Sequence, residues 1–138
     1  MNARGNRGAE LIGAYIKKQK ESPDLILSSP AIRARDTIEV VVKTAKLGGE
    51  LRYDQRIYEA SKMLLVEIIT QIEEDKACVL LVGHNPGMEG LLEVLTGRPE
   101  TMATATLAKV NLKANKWSKA LEGQGDLEWL VKPKDLEG

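Results

Sequence analysis

A chain of 138 residues with 43% hydrophobic and 29% charged residues has the length and composition of one folded domain around one core. Twenty Lys and Arg balance twenty Asp and Glu, so no overall field gathers nucleic acid or an acidic membrane surface. A single cysteine excludes an internal disulfide and a cysteine-based zinc cluster.

The pattern predicts a first helix over residues 5–20, with Leu11, Ile12, Tyr15 and Ile16 on one face. Residues 24–29 read as a short buried strand. Ser29 then suits the N-cap of a second helix, with Pro30 at its first position. Ile38, Val41, Val42 and Ala45 supply its apolar stripe, Gly48 and Gly49 end it, and a short strand follows near residues 51–53. Ser61 opens a third helix, striped by Leu64, Leu65, Ile68, Ile69 and Ile72. Residues 77–82 are apolar throughout, as buried parallel strands are, and predict the most buried strand with Cys78 as an inert thiol. A fourth helix starts at Pro86 and stops at Gly97. In the tail, residues 105–112, 116–121 and 127–131 read as strands joined by turns.

Strands alternating with helices predict an α/β sheet with helices on both faces, with residues 1–138 as one domain. The first helix alone has no strand upstream, so one βα unit lacks its β. Trp117 and Trp129 both fall in the last quarter of a chain with few aromatic residues, which leaves no stacking platform for nucleic-acid bases. No apolar run approaches the roughly 18 residues of a membrane span, and no leader pattern is visible, so the expected setting is cytoplasmic without membrane partners.

Two strand-to-helix junctions carry polar groups. Ser28 and Ser29 end one strand, and Arg33 lies in the opening turn of the helix that follows. Gly83, His84, Asn85, Pro86 and Gly87 form the other, and His84 is the only histidine. A helix N-terminus offers unpaired N–H groups and a guanidinium adds a bidentate fork, which together suit a phosphate. Each junction alone also fits a plain capped helix, with solvated arginines at the first and a structural histidine at the second. In a parallel sheet, however, both fall on one edge, where ligands bind. Ser29, Arg33, His84 and Asn85 are therefore the candidate phosphate-binding residues. Arg35 with Asp36 reads as a surface pair, and Lys132 and Lys134 as solvated ends of the last strand.

The segment Ser29-Pro-Ala-Ile-Arg-Ala-Arg-Asp-Thr37 resembles the Ser-x-x-x-Arg-Ala-x-x-Thr segment of the histidine phosphatase superfamily, and Val82-Gly-His-Asn-Pro-Gly87 resembles its second-histidine segment. Arg56-Ile-Tyr-Glu-Ala-Ser61 and Trp129-Leu-Val-Lys-Pro133 are similar to its SixA-type phosphohistidine phosphatases. The resemblance runs from about residue 3 to the C-terminus. It implies a phosphoglycerate-mutase-like, three-layer α/β/α sandwich, with a mostly parallel sheet and a C-terminal antiparallel portion. It also implies a phosphohydrolase that passes through a phosphohistidine intermediate on the enzyme, acts on phosphoproteins or small phosphorylated molecules, and needs no metal or other cofactor. Arg33 matches the second-motif arginine and His84 the second histidine, both catalytic in that scheme. Glu59 lies where mutase-like relatives place a general acid.

The family's opening strand and its Arg-His-Gly, which carries the nucleophilic histidine, have no counterpart; Arg4-Gly5 has no histidine between its residues. The expectation for this chain is therefore weak turnover or none. The first expectation is that the domain is N-terminally incomplete and that sequence upstream of residue 1 supplies the strand and nucleophile of a working phosphatase; the alternatives are a non-catalytic phosphate- or phosphoprotein-binding module, and an interaction protein whose partner chain donates the missing strand, which would make an oligomer.

Overall fold

Two separate sheets form the middle layer of the computed structural model, which describes residues 2–122 and 124–137. In the first, β1 (Leu25–Ser28) lies between β2 (Glu50–Tyr53) and β3 (Val79–Val82), all three parallel. In the second, β4 (Leu107–Asn111) pairs antiparallel with β5 (Asp126–Val131). Ile26 points to one side of β1 and packs against Ile12 and Ile16 of α1 (Ala3–Lys18) and Ile38 and Val41 of α2 (Ile32–Ala45). Leu25 and Leu27 point to the other side, against Leu65 and Ile68 of α3 (Lys62–Thr70) and Leu91 and Leu95 of α4 (Gly87–Thr96). The period-2 alternation of a strand thus divides three neighbouring apolar residues between two cores. This is the expected α/β/α sandwich, mostly parallel with an antiparallel C-terminal part.

Helix ends follow local chemistry. The Asn2 side chain caps α1 by accepting from the Gly5 N–H at 2.8 Å. Ser61 caps α3 as expected, accepting from the Leu64 N–H at 3.2 Å. Gly97 closes α4 with φ +74°, a left-handed conformation that suits glycine. Gly87 opens α4 because backbone crosses there: a Cβ on it would lie 2.2 Å from the Ala60 carbonyl oxygen. That contact holds α4 against the turn before α3.

Several sequence expectations need correction. Ser29 does not cap α2, which starts at Ile32 with Ala31 as its cap. Ser29 stays in the plane of the sheet, its N–H donating to the Val82 carbonyl at 3.0 Å, so the helix begins two residues later. That helix ends at Lys46, in the left-handed region at φ 55°, before Gly48 and Gly49. The most buried strand is β1, whose four residues are all buried. All of β3 is half-buried, because among the described residues only β1 pairs with it. Cys78 precedes β3 and is half-buried too; burial pushes its thiol pKa up, with Glu21 and Asp24 adding to the effect.

Residues 116–121 form no strand. The Trp117 N–H donates to Glu74 at 2.6 Å and its indole N–H to the Lys76 carbonyl at 2.7 Å. These bonds draw the segment into a 3₁₀ helix, Trp117–Lys119, laid against α3, with Ala120 buried behind it. A short α5 (Pro133–Leu136) follows β5 and packs on α1, where plain solvated chain was expected. No helix among the described residues is long and apolar enough to cross a membrane.

Candidate functional site

Parallel register brings the two polar junctions together. Ser28 pairs with Val82 across the β1–β3 ladder, so Ser29 and Gly83 leave the sheet side by side at its carboxyl edge. Ser28 and Ser29 are both fully buried. The Ser28 hydroxyl donates to the Ser29 carbonyl at 2.9 Å. The Ser29 Oγ accepts from the Ala31 N–H at 3.2 Å and meets His84 Nε2 at 2.7 Å. Fifty-five residues of sequence separate Ser29 from His84, and the sheet closes that gap.

His84 is half-buried and held from a second side. The Tyr58 ring meets it in a T-shaped pair, 5.8 Å between centroids with the planes 83° apart. With Nε2 engaged by Ser29, Nδ1 is the ring nitrogen left for a ligand. Gly83 leaves little room behind the ring, since a Cβ there would lie 2.9 Å from the Met88 sulfur. Tyr58 is the residue that sequence reasoning missed. The signal was an aromatic side chain in a turn, 48% exposed, in a protein with three tyrosines and no phenylalanine.

Arg33 stands in the first turn of α2, exposed, and that helix has neither a side-chain cap nor an acidic residue in its first turn. A free helix N-terminus with an adjacent guanidinium attracts anions. The N-terminus of α4 is differently disposed. Met88 donates to the His84 carbonyl at 3.0 Å, Glu89 to Asn85 Oδ1 at 3.2 Å, and Gly90 to the Pro86 carbonyl at 3.0 Å. The Asn85 amide nitrogen donates to the Met102 carbonyl, and the Met102 N–H returns a bond to Glu89 at 2.7 Å. Asn85 thus ties the junction to the loop before β4, and the Asn85–Pro86 peptide is cis.

The Arg35 guanidinium lies 4.6 Å from the centre of the Tyr53 ring, over its face. Glu59 follows Tyr58 in the turn, exposed and with φ 54°. Arg56 is bound to Asp54 at 2.8 Å and to Gln71 at 2.7 Å, and its guanidinium holds the Asp54 carboxyl below the usual range. Among the described residues no three His, Cys, Asp or Glu side chains gather as a metal site.

No family model matches the sequence. An uncharacterized protein of Mycobacterium tuberculosis is 32% identical over 92 residues, which are 67% of this chain and 56% of that protein. One of Mycobacterium leprae is 29% identical over 94 residues, 68% of this chain and 56% of that protein. The matched part thus spans little more than half the length of these relatives. Among solved structures, the protein histidine phosphatase SixA complexed with tungstate superposes with a TM-score of 0.85 at 24% identity, over 99% of this chain and 86% of that one. A candidate phosphohistidine phosphatase SixA from Agrobacterium tumefaciens gives a TM-score of 0.82 at 28% identity, over 96% of this chain and 82% of that one. One from Nakamurella multipartitia gives 0.85 at 19% identity, over 96% and 84%. By its fold, the chain is similar to the SixA phosphohistidine phosphatases of the histidine phosphatase superfamily.

Proposed function

We propose that the edge carrying Ser29, Arg33, Tyr58 and His84 receives the phosphoryl group of a phosphorylated protein, in the manner of a phosphohistidine phosphatase in the cytoplasm, with residues 1–138 acting as one domain. The observation that supports this reading most is the 2.7 Å contact between His84 and Ser29 at the joined ends of β1 and β3. It fixes an imidazole beside the uncapped, arginine-bearing start of α2.

In this reading Arg33 and the Nδ1 side of His84 meet the equatorial phosphoryl oxygens, where charge accumulates during phosphoryl transfer. Ser29 is enclosed and already bonded, so it acts by positioning the imidazole. Asn85 sets the course of the loop behind it. Glu59 is the candidate proton donor to a leaving group, and a phosphorylated imidazole, itself a good leaving group, has little need of one.

A single histidine cannot serve both as nucleophile and as its partner. The 138-residue chain is therefore expected to bind phosphate and to hydrolyse it poorly. Thermal melts with inorganic phosphate and tungstate test the binding. Either oxyanion should raise Tm by mass action. Arg33→Ala should weaken affinity about 10- to 100-fold, as loss of a charged hydrogen bond does. Ser29→Ala should weaken it by roughly 2- to 10-fold through a loosened ring. No shift at millimolar oxyanion would refute the binding site. Rapid phosphate release from a phosphohistidine peptide, abolished by His84→Ala, would refute the expectation of poor turnover.

A further inference from the structure

The turn before α3 holds an aromatic ring in solvent beside the candidate phosphoryl site. Of the three tyrosines, Tyr15 forms a T-shaped pair with Trp129, 5.1 Å between centroids, and Tyr53 lies beneath the Arg35 guanidinium; both are half-buried. Tyr58 is the exposed one, and its ring partner is His84. Half of a large aromatic side chain is thus kept out of a core that would reward its burial.

The turn that carries this ring is firmly built. The Asp54 N–H donates to the Ser28 carbonyl at 2.9 Å, which ties the start of the turn to the end of β1. The Asp54 carboxylate accepts from the Arg56 N–H at 2.9 Å and pairs with the Arg56 guanidinium. The Tyr58 N–H donates to the Gln55 carbonyl and the Ala60 N–H to the Ile57 carbonyl, both at 3.2 Å. Ile57 is buried against the second junction, since a Cβ on Gly83 would meet its Cγ2 at 3.3 Å. Fixed backbone on both sides of Tyr58 and a side chain with only two torsions reduce the entropy lost when the ring meets a ligand.

An aromatic ring has little to offer phosphoryl oxygens. Its face is electron-rich and disfavours an anion, whereas its quadrupole favours a second ring, offset-stacked or edge to face. In the phosphoryl reading the oxygens belong to Arg33 and His84. Tyr58 flanks His84, and the next residue is Glu59, the candidate proton donor to the leaving group. Ring and carboxyl therefore border the place of the group to which phosphorus is bonded.

We propose that Tyr58 is the specificity-determining residue of this site: its ring packs on the planar ring that bears the phosphoryl group, and so selects a phosphorylated imidazole over a phosphorylated hydroxyl or carboxyl group. A serine ester puts a flexible methylene there, and an aspartyl phosphate a carbonyl, and neither pairs with a ring. The proposal deepens the phosphoryl reading and rests on it.

The test measures Kd of the 138-residue protein for three probes by titration calorimetry. They are inorganic phosphate, a peptide carrying phosphoryltriazolylalanine as a stable stand-in for phosphohistidine, and the same peptide carrying phosphoserine. The triazole peptide should bind about 3- to 10-fold tighter than the phosphoserine peptide, the worth of one aromatic pair. Tyr58→Phe should keep that ratio, and Tyr58→Leu should bring it to about one. Equal weakening of all three probes by Tyr58→Leu, with the ratio intact, would show that Tyr58 only steadies His84 and would overturn the proposal. The unaltered protein gives a readout that needs no substitution: nuclear Overhauser contacts between the Tyr58 ring protons and the triazole C–H. Their absence at saturating peptide would also overturn the proposal. Phosphate binding with a peptide ratio of one removes the proposal alone, whereas no binding of phosphate or either peptide removes the phosphoryl reading and the proposal with it.

Discussion

Ser29 does three things with two groups. Its hydroxyl oxygen receives the Ala31 N–H and holds His84, and its own N–H, bound to the Val82 carbonyl, keeps the residue in the sheet plane so that α2 starts late. A motif read as a helix cap is thus a hinge between strand and site, and sequence could not reveal this because the second partner lies across the sheet. Gly87 makes an equally specific demand. With the Ala60 carbonyl oxygen 2.2 Å from where its Cβ would be, Gly87→Ala must push α4 off the turn. We expect a loss of about 1–3 kcal/mol in urea unfolding, whereas Gly48→Ala, with nothing near its Cβ, should change little. At the other end of the β1–β3 pair, Asp24 accepts from the Ala77 and Cys78 N–H groups at 3.0 and 3.1 Å. These bonds hold its carboxyl below the ordinary value of 3.8. Asp24→Ala should lower Tm by a few degrees at neutral pH, and the difference from the parent should shrink as pH falls below 4.

Elements differ in how much of them the sequence discloses. Helices striped every three to four residues announce themselves, and α1, α3 and α4 lie close to where the spacing puts them. Strand existence was legible, but strand rank was not. Residues 79–82 look as apolar as residues 25–28, yet β1 is enclosed on both edges and β3 on one. Whether a strand has neighbours is a property of the sheet. The difference is measurable. Ile26→Ala, at a site with no exposure, should cost about 2–5 kcal/mol. Leu80→Ala, whose side chain already borders open space, should cost clearly less in the same denaturation series. The 3₁₀ segment at Trp117 and the Tyr58 contact were hidden for a similar reason, since their partners, Glu74, Lys76 and His84, are remote in sequence.

At the scale of the whole molecule, charge is balanced in total and organised in detail. Arg52 holds Glu73 down to about 2 and lowers Glu50, and Asn111, followed by Lys109, lowers Glu128. Groups depressed in the folded state stabilise it fully above their unfolded values, near 4, and lose that contribution as pH falls through the folded ones. Stability followed by thermal melts should be level from pH 7 to about 5 and fall steadily from about 4 towards 2. A minimum near neutrality would contradict this charge arrangement. The same scale explains what kind of site is present. The two junctions were each readable as motifs, while their assembly was an inference from the habit of parallel sheets, and the register of β1 with β3 fulfils it.

The bond from Ser29 to His84 has a consequence for how the protein comes to be. No contiguous stretch contains both partners, and bringing together groups 55 residues apart must wait until the intervening loop has closed, at an entropic cost that local helices do not face. Anion recognition therefore arises with the sheet itself and cannot outlast it. Because only one imidazole exists in the chain, its proton resonances form a single unassigned reporter. They should move from unfolded to native position with the same midpoint as the backbone signal, and a lag between the two would show that the seam closes after the layers have packed.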